Sequence, residues 1–497
     1  MKIQIMDTTL RDGEQTPGVS FGKDEKLAIA KSLLLDVNVS AIEIASARVS
    51  EGELQTASAL CSWAAANSFI ERIEILGFVD SYRSVEWIRN AGCRSMNLLC
   101  KGSLAHLTHQ LRKSPEEHVQ DINMNIRCAK EKGVSCNVYL EDVSNGFFHS
   151  KDYVFFLLQN IKGAHRIMIA DTLGILHPEE AFAMCREITS KFPGDYYDFH
   201  AHNDYHLAVA NTLFALKAGV TRIHTTLNGL GERAGNCSLA SIVACMNDHT
   251  QFRTEVREKN LTAAARLVES LSGIRLSSNA PVTGENVYTQ TCGVHADGDK
   301  KANLYSNKLT PERFGGQKAY ALGKTSGKAS IEKNLELLGI ELDEESVKKV
   351  AQRIVSLGDQ KERITISDLP YIVSDVLGTP VQEKVKILSY SLSVDSKSKP
   401  LATVKLSVDG KTYEESSEGD GQYDAFMKSI KRIFERIGRK LPSLVDYSVS
   451  IPPGGRTDAL VETIITWQDG RLFKTRGVDP DQITAAIKAT LNMLNQT

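Results

Sequence analysis

Eight short apolar runs recur through the first 230 residues, and the stretches between them carry apolar residues at helical spacing. The runs are IQIMD (3–7), SAIEIAS (40–46), RIEILGFV (72–79), SMNLLC (95–100), SCNVYLED (135–142), RIMIAD (166–171), DYYDFHAH (195–202) and TRIHTTLN (221–228). Segments such as KDEKLAIAKSLLLD and HLAVANTLFALKAG separate them. Strands alternating with helices predict a parallel sheet with crossover connections, and eight strands are the number that closes a (β/α)8 barrel. The rival is an open doubly wound sheet, but no G-x-G-x-x-G turn follows the first strand.

The rhythm changes beyond the barrel. TEVREKNLTAAARLVESLSG reads as one more helix, followed by the loop-rich NAPVTGENVYTQTCGVHADGDKKANLY and two helical patterns, GKASIEKNLELLG and DEESVKKVAQRIVSLGDQ. The last part holds an internal repeat. VKLSVDGKTYEES and TIITWQDGRLFKT carry hairpin signals at Asp409-Gly410 and Asp469-Gly470, and each leads into a helix. A shift of 57 residues superposes Phe426 on Ile483, Ile430 on Ile487 and Lys431 on Lys488. Each copy opens with another strand, KVKILSYSLSV or SLVDYSVSI, which makes two βββα copies. The expected architecture is α/β: a TIM barrel over 1–275, linking subdomains over 276–380, and an α+β domain over 381–497. Barrels carry their catalytic residues at the strand ends, so the doubled module reads as regulatory or dimerising.

Composition excludes some functions. Lys+Arg (59) and Asp+Glu (61) nearly cancel, without a long basic run, which argues against nucleic acid or an anionic membrane surface as partner. No 18-residue apolar stretch is present to span a membrane, and MKIQIMDTTLRDGEQ meets charge too early for a signal peptide. Nine cysteines without a C-x-x-C pair read as reduced thiols, so a cytoplasmic location is expected.

Barrel chemistry sits at the C-terminal ends of the strands. Polar residues gather there on six of them: Asp7, Arg11, Asp12 and Glu14 after strand 1; Glu43 and Arg48 at strand 2; Tyr139, Glu141 and Asp142 at strand 5; Asp171 and Thr172 at strand 6; His200 and His202 at strand 7; Asn228, Glu232, Arg233 and Asn236 after strand 8. His200 and His202 share a strand face. A carboxylate with two imidazoles is a common set for a catalytic divalent metal with open positions. Asp12, His200 and His202 supply it, with Asn236 or water completing the sphere. The plainer reading, two separately hydrogen-bonded core histidines, suits a lone histidine better than an H-x-H at a strand end. Arg11 suits an enolate or carboxylate oxygen, or a rim salt bridge. Glu141 is an acid/base candidate or a structural carboxylate. His295, Asn303 and Tyr305 read, from their residue types alone, as members of a glycine-flanked loop outside the barrel. GLGERAGN resembles a phosphate loop only loosely.

DTTLRDGEQ, HAHND, NGLGERAGN and CGVHADG together resemble the acyl-CoA Claisen-condensing barrel enzymes: isopropylmalate, citramalate and homocitrate synthases. Order and spacing match over nearly the whole chain. VYLEDVSNG, GVHADGDKKANLY, YALGKTSGKASI and IPPGGRTDALVET are most similar to the bacterial citramalate synthases. The resemblance implies that Asp12, His200 and His202 bind a divalent cation (Mn, Zn or Mg), with Asn236 close by, and that Arg11 and Glu141 are catalytic. It implies that His295 and Tyr305 act with Asn303 over a partner subunit's barrel mouth, which reverses the loop reading. Leu76 at the end of strand 3, Leu99 at the end of strand 4 and Tyr139 match the positions that line the oxo-acid pocket, with Thr172 also facing substrate. The isopropylmalate enzymes, by the same resemblance, carry a smaller residue in place of Tyr139.

The implied substrates are acetyl-CoA and a small 2-oxo acid: pyruvate, giving (R)-citramalate, or alternatively 2-oxoisovalerate, giving isopropylmalate. A homodimer and a branched-chain amino-acid effector on the C-terminal repeat are implied as well. In that chemistry a base takes a proton from the acetyl-CoA methyl group, the enolate attacks the oxo acid's ketone carbon, and water hydrolyses the thioester. Glu141 and the His295–Tyr305 pair are both candidates for the base. One departure is IADTLG, where the resemblance leads one to expect proline at Ala170. A related lyase that cleaves a hydroxyacyl-CoA needs no C-terminal repeat. An inactive amino-acid sensor would have lost the metal set, which is intact here.

Overall fold

The computed structural model describes the chain except residues 195, 292, 293, 296, 297, 299–301, 303, 360–363, 365, 379–383, 396, 452–460 and 497. Asn303 therefore lies outside the described residues, as does most of IPPGGRTDA. The chain divides into two units, Met1–Thr289 with Ser306–Ala319, and Gln290–Tyr305 with Tyr320–Thr497.

Eight parallel strands close the first unit into a barrel in sequential order. They are β1 (Gln4–Asp7), β2 (Ala41–Ser46), β3 (Ile73–Phe78), β4 (Ser95–Lys101), β5 (Ser135–Glu141), β6 (Ile167–Asp171), β7 (Tyr197–Ala201) and β8 (Arg222–Thr225). β8 pairs back onto β1, Thr225 beside Asp7. One main helix follows each strand: α1 (Lys23–Lys31), α2 (Glu51–Ala66), α3 (Arg83–Asn90), α4 (Pro115–Glu131), α5 (Lys151–Asn160), α6 (Pro178–Lys191), α7 (Ala208–Lys217) and α8 (Leu239–His249). Their starts are written locally. The Ser50 hydroxyl accepts from the Glu53 N–H, and Ser114 forms a capping box with Glu117 ahead of Pro115. α9 (Leu261–Ser272) completes this unit's helices of eight residues or more.

The barrel expectation holds, with shorter ends than the apolar runs suggested. Strand 7 covers Tyr197–Ala201 rather than 195–202, and strand 8 covers Arg222–Thr225 rather than 221–228. The reason is local: His202 leaves the ladder for an antiparallel bridge to Asn236, and Thr226 pairs with Ser238 ahead of a tight turn at Leu227–Gly229. Leu76 and Leu99 stand inside β3 and β4, not at their last residues.

Two apolar layers result. Outward side chains such as Ile42, Ile75, Leu98, Val138, Ile169 and Phe199 pack under the helices in one large cluster. Inward, Met6, Ala41, Leu76, Tyr139, Met168 and Ala170 form a second, smaller cluster, with Phe78 and Leu99 against it. The rest of the barrel interior is polar.

In the second unit, α10 (Lys328–Leu337) and α11 (Glu344–Asp359) match the expected helices. A further helix, α12 (Leu369–Leu377), was not expected. Its sequence LPYIVSDVL looks like a short strand, but Pro370 stands at the helix start, where its missing N–H costs nothing. Val294 and His295 have helical backbone, which corrects the loop expectation there. The repeat is present as two three-stranded antiparallel sheets with helices. The first is β9 (Val385–Asp395), β10 (Ser398–Val408) and β11 (Lys411–Glu418) with α13 (Gln422–Arg436). The second is β12 (Ser443–Ser450), β13 (Val461–Asp469) and β14 (Arg471–Asp479) with α14 (Gln482–Gln496). Asp409 and Gly410, both at positive φ, turn the first hairpin. Phe426, Ile430, Trp467, Ile487 and Met493 share one core across the two copies. Among the described residues no helix is long and apolar enough to cross a membrane, and the eight described cysteines are free.

Candidate metal centre and its surroundings

β1, β7 and the turn after β8 bring Asp12, His200, His202 and Asn236 together. The ligand atoms of Asp12, His200 and His202 lie within 4.8 Å of one another, and all three residues are buried. The His200 Nε2 stands 3.2 Å from Asp12 Oδ2 and 3.3 Å from His202 Nε2. Burial draws both histidines down to about 4, so at neutral pH neither ring carries the proton that would make the nitrogen pair repel a cation. Burial alone would raise the Asp12 carboxyl, but Arg11 and then His200 outweigh it and hold it well below the carboxylate range. Asn236 adds a buried Oδ1 without a hydrogen-bond partner. An anionic oxygen, two neutral imidazole nitrogens and an idle amide oxygen fit a divalent cation with open coordination positions.

The turn that presents Asn236 is tight. A Cβ on Gly235 would meet the Gly229 carbonyl oxygen at 1.9 Å, and Gly235 itself has φ +83°. The Asn236 side-chain N–H donates to the Leu230 carbonyl at 3.0 Å, which aims its oxygen the other way. NGLGERAGN is thus a side-chain-aiming turn.

Arg11 leans on two carboxylates. Its Nε donates to Glu43 Oε2 at 2.6 Å and its Nη1 is 3.4 Å from Asp12 Oδ1. Burial opposes the Arg11 charge, yet Asp12 and Glu43 more than offset it and raise its pKa above the ordinary value. Burial raises the Glu43 carboxyl. Asn97 donates to its second oxygen at 2.7 Å. Arg11 is therefore held by partners on both sides and is not a rim salt bridge.

Glu141, at the end of β5, forms an ion pair with Lys101 of the neighbouring β4. The Thr172 hydroxyl accepts the Asp142 N–H at 2.8 Å, and the Arg233 guanidinium reaches the Thr172 carbonyl at 2.7 Å. Leu76, Leu99 and Tyr139 meet in the inner apolar cluster. The Tyr139 ring stands edge-on to His200, centroids 5.4 Å apart, and the Arg11 guanidinium lies 5.8 Å from its centre. The oxo-acid-lining residues and the metal set are thus adjacent. In the second unit the His295 and Tyr305 rings stack at 4.1 Å, and both side chains are exposed.

Several strand-end candidates are structural. Glu14 pairs with Lys26, Arg48 with Asp80, and Glu232 with Arg233. Asp171 accepts the Ile175 and Leu176 N–H groups. Conversely, sequence reasoning passed over Asn97, Lys101, Asp198 and His224. None carries a local signal: Asn97 and Lys101 share β4, and Asp198 and His224 stand in short strands beside other polar residues.

The chain belongs to the HMGL-like family, whose model matches residues 2–268. A homocitrate synthase post-HMGL domain-like model matches 282–362, and a LeuA allosteric (dimerisation) domain model matches 363–497. The chain is 34% identical to a putative (R)-citramalate synthase CimA of Methanothermobacter thermautotrophicus, over 100% of this chain and 98% of that one. It is 32% identical to (R)-citramalate synthase CimA of Methanocaldococcus jannaschii, over 100% of this chain and 99% of the relative. It is also 33% identical to a probable 2-isopropylmalate synthase of Methanopyrus kandleri, over 100% and 98%. Similarity of this degree defines the reaction class but does not separate the two oxo acids.

Proposed function

We propose that this chain condenses acetyl-CoA with a small 2-oxo acid and hydrolyses the thioester, with pyruvate as preferred acceptor and (R)-citramalate as product. One observation carries the reading: an apolar wall of Leu76, Leu99 and Tyr139 stands beside a buried Asp–His–His cluster. On this reading the two leucines and the tyrosine leave room for a methyl group and little for an isopropyl group. Overfilling a packed site costs about 1–3 kcal/mol, or roughly 5- to 150-fold in selectivity.

Asp12, His200 and His202 would hold a divalent cation (Mn, Zn or Mg), with Asn236 beside it. When bound, that cation supplies Lewis acidity toward the ketone. The remaining work falls to the chain. Arg11, fixed between Asp12 and Glu43, offers a permanent positive charge to the alkoxide that forms as the ketone is attacked. Glu141 is the candidate to take the acetyl-CoA methyl proton; its ion pair with Lys101 holds it in place. The stacked His295–Tyr305 pair is the second candidate for proton transfer, and Asn303 for substrate contact. Thr172 lies near Glu141 through Asp142 and is proposed to face substrate. The C-terminal repeat is read as the seat of dimer formation and of feedback by a branched-chain amino acid; its match to a LeuA allosteric (dimerisation) domain supports this.

The 33% identity to a probable 2-isopropylmalate synthase keeps 2-oxoisovalerate as the alternative acceptor. Measuring kcat/KM with both oxo acids, following CoA release, tests the choice. Pyruvate is expected to be preferred, and preference for 2-oxoisovalerate would replace the citramalate reading with the isopropylmalate one.

A further inference from the structure

Beneath the candidate metal centre runs a buried polar circuit, of which the proposed steps use only Arg11. The Tyr139 hydroxyl stands 3.4 Å from His224 Nδ1, and His224 Nε2 is 3.1 Å from Asp198 Oδ2. Asp198 also accepts from Arg166 Nε and Arg222 Nε, both at 2.5 Å. Arg222 grips Glu74 at 2.5 and 3.3 Å. Asn137 donates to Glu74 at 3.1 Å and to Asn97 at 2.8 Å, and Asn97 donates to Glu43 at 2.7 Å. Glu43 holds Arg11, whose guanidinium returns to the face of Tyr139. The circuit leaves Tyr139 at its hydroxyl and comes back to the same side chain, where Arg11 also interacts with the hydroxyl.

The protonation pattern along the first links follows from the partners. Asp198 takes hydrogen bonds from the Nε–H groups of two arginines, which can only donate. It is therefore an acceptor, and His224 donates to it through Nε2–H. That leaves Nδ1 with a lone pair facing the Tyr139 O–H. Tyr139, His224 and Asp198 are all buried. A buried ring with its hydroxyl tethered cannot swing without leaving polar atoms unsatisfied, which is costly in an interior.

We infer that His224, oriented by Asp198, is a positioning residue that holds the Tyr139 ring against the candidate metal centre and so sets the size of the 2-oxo-acid pocket. This rests on the proposed reaction and deepens it: acceptor selectivity belongs to the Tyr139–His224–Asp198 line and not to Tyr139 alone. Releasing the hydroxyl lets the ring tilt toward Leu76 and Met168 in the same apolar cluster, and a larger acceptor then fits.

The test compares the wild type with His224→Leu, Tyr139→Phe and His224→Gln, by kcat and KM for pyruvate and for 2-oxoisovalerate. Tyr139→Phe removes only the hydroxyl, so it decides the matter if His224→Leu fails to fold. Both substitutions should shift the pyruvate-to-2-oxoisovalerate ratio of kcat/KM toward the larger acid by about two- to tenfold, the worth of one hydrogen bond. The shift should appear mainly as a raised KM for pyruvate. His224→Gln, whose amide can donate to Asp198 and accept from Tyr139, should restore the ratio to within about twofold. A merely structural role would lower kcat for both acids alike and leave the ratio in place. An unchanged ratio in Tyr139→Phe overturns the proposal. The shift decides whichever acid the wild type prefers; a wild-type preference for 2-oxoisovalerate would overturn only the choice of pyruvate.

Discussion

The barrel buries charge, whereas the C-terminal repeat leaves apolar side chains in water. Inside the barrel, Asp12, Glu43, Glu74, Asp198, Arg222 and their partners are removed from solvent. On the repeat, Leu388 (51% exposed), Val394 (57%), Leu444 (44%) and Val445 (49%) stand open. The two departures run in opposite directions from the usual partition of residues. Burying an ion costs several kcal/mol unless it is paired and hydrogen-bonded, and here the pairing is internal to the barrel. The exposed apolar residues lie on β9 and β12, the first strand of each copy. A repeated apolar strip on matching strands has the character of an interface. The barrel pairs its buried charges within itself; the exposed strip on the repeat suits a cover, which accords with its proposed role in dimer formation.

That contrast can be broken most sharply at the metal set. If the buried charges serve chemistry, His200→Ala should cost at least about 100-fold in turnover and most of the bound metal, since even outer partners of metal ligands cost 10- to 100-fold. Circular dichroism should show the barrel intact, because ligands at strand ends lie outside the packed layers. Wild-type turnover in His200→Ala would reduce the barrel's charges to a structural device.

The converse probe removes the repeat. Ending the chain after Gly378 should abolish inhibition by the branched-chain amino acid and weaken self-association, as read by activity with added effector and by sedimentation. Catalysis should fall but persist. Undiminished inhibition of the shortened chain would put the effector site outside β9–α14 and erase the division of labour.

A smaller effect sharpens the barrel side. Tyr139→Ser should raise kcat/KM for 2-oxoisovalerate relative to pyruvate by roughly 5- to 150-fold, the reverse of the overpacking cost. No change in the ratio would detach pocket size from Tyr139.

The smallest effect concerns a buried acid outside the site. Burial raises the Asp7 carboxyl from 3.8 to about 6, against hydrogen bonds from Thr9 and Thr225. The folded chain therefore keeps a proton that the unfolded chain has released. The stability this contributes is fully present below about pH 4 and is lost as pH rises through about 6. Asp7→Asn cannot ionise, so its stability relative to wild type should rise by about 1–3 kcal/mol between pH 4 and 7. Thermal melts across that range check it; a constant difference would mean that Asp7 titrates normally.

The sequence made the barrel and the repeat legible because their signals are periodic. Apolar runs such as IEILGF declare buried parallel strands, and Asp-Gly pairs declare hairpins. Asp12, His200 and His202 were legible because an H-x-H at a strand end has few structural uses. The circuit behind them was not. Glu74, Asn97, Asn137, Asp198 and Arg222 come from five different strands, and no local spacing links them. Only barrel closure, which no local pattern encodes, sets Glu74 beside Arg222, 148 residues away. Lys101 was passed over because its partner Glu141 lies on the neighbouring strand. α12 was missed because a nine-residue apolar stretch has no period long enough to separate helix from strand.

The central claim is a metal-dependent condensation of acetyl-CoA with a 2-oxo acid at the barrel mouth. It is tested most directly by following CoA release and product identity with acetyl-CoA and pyruvate, in metal-replete protein, after chelation and after metal is restored. The account predicts citramalate formed one-for-one with CoA, lost on chelation and recovered with a divalent cation. No CoA release with pyruvate or 2-oxoisovalerate, or turnover indifferent to chelation, would contradict it.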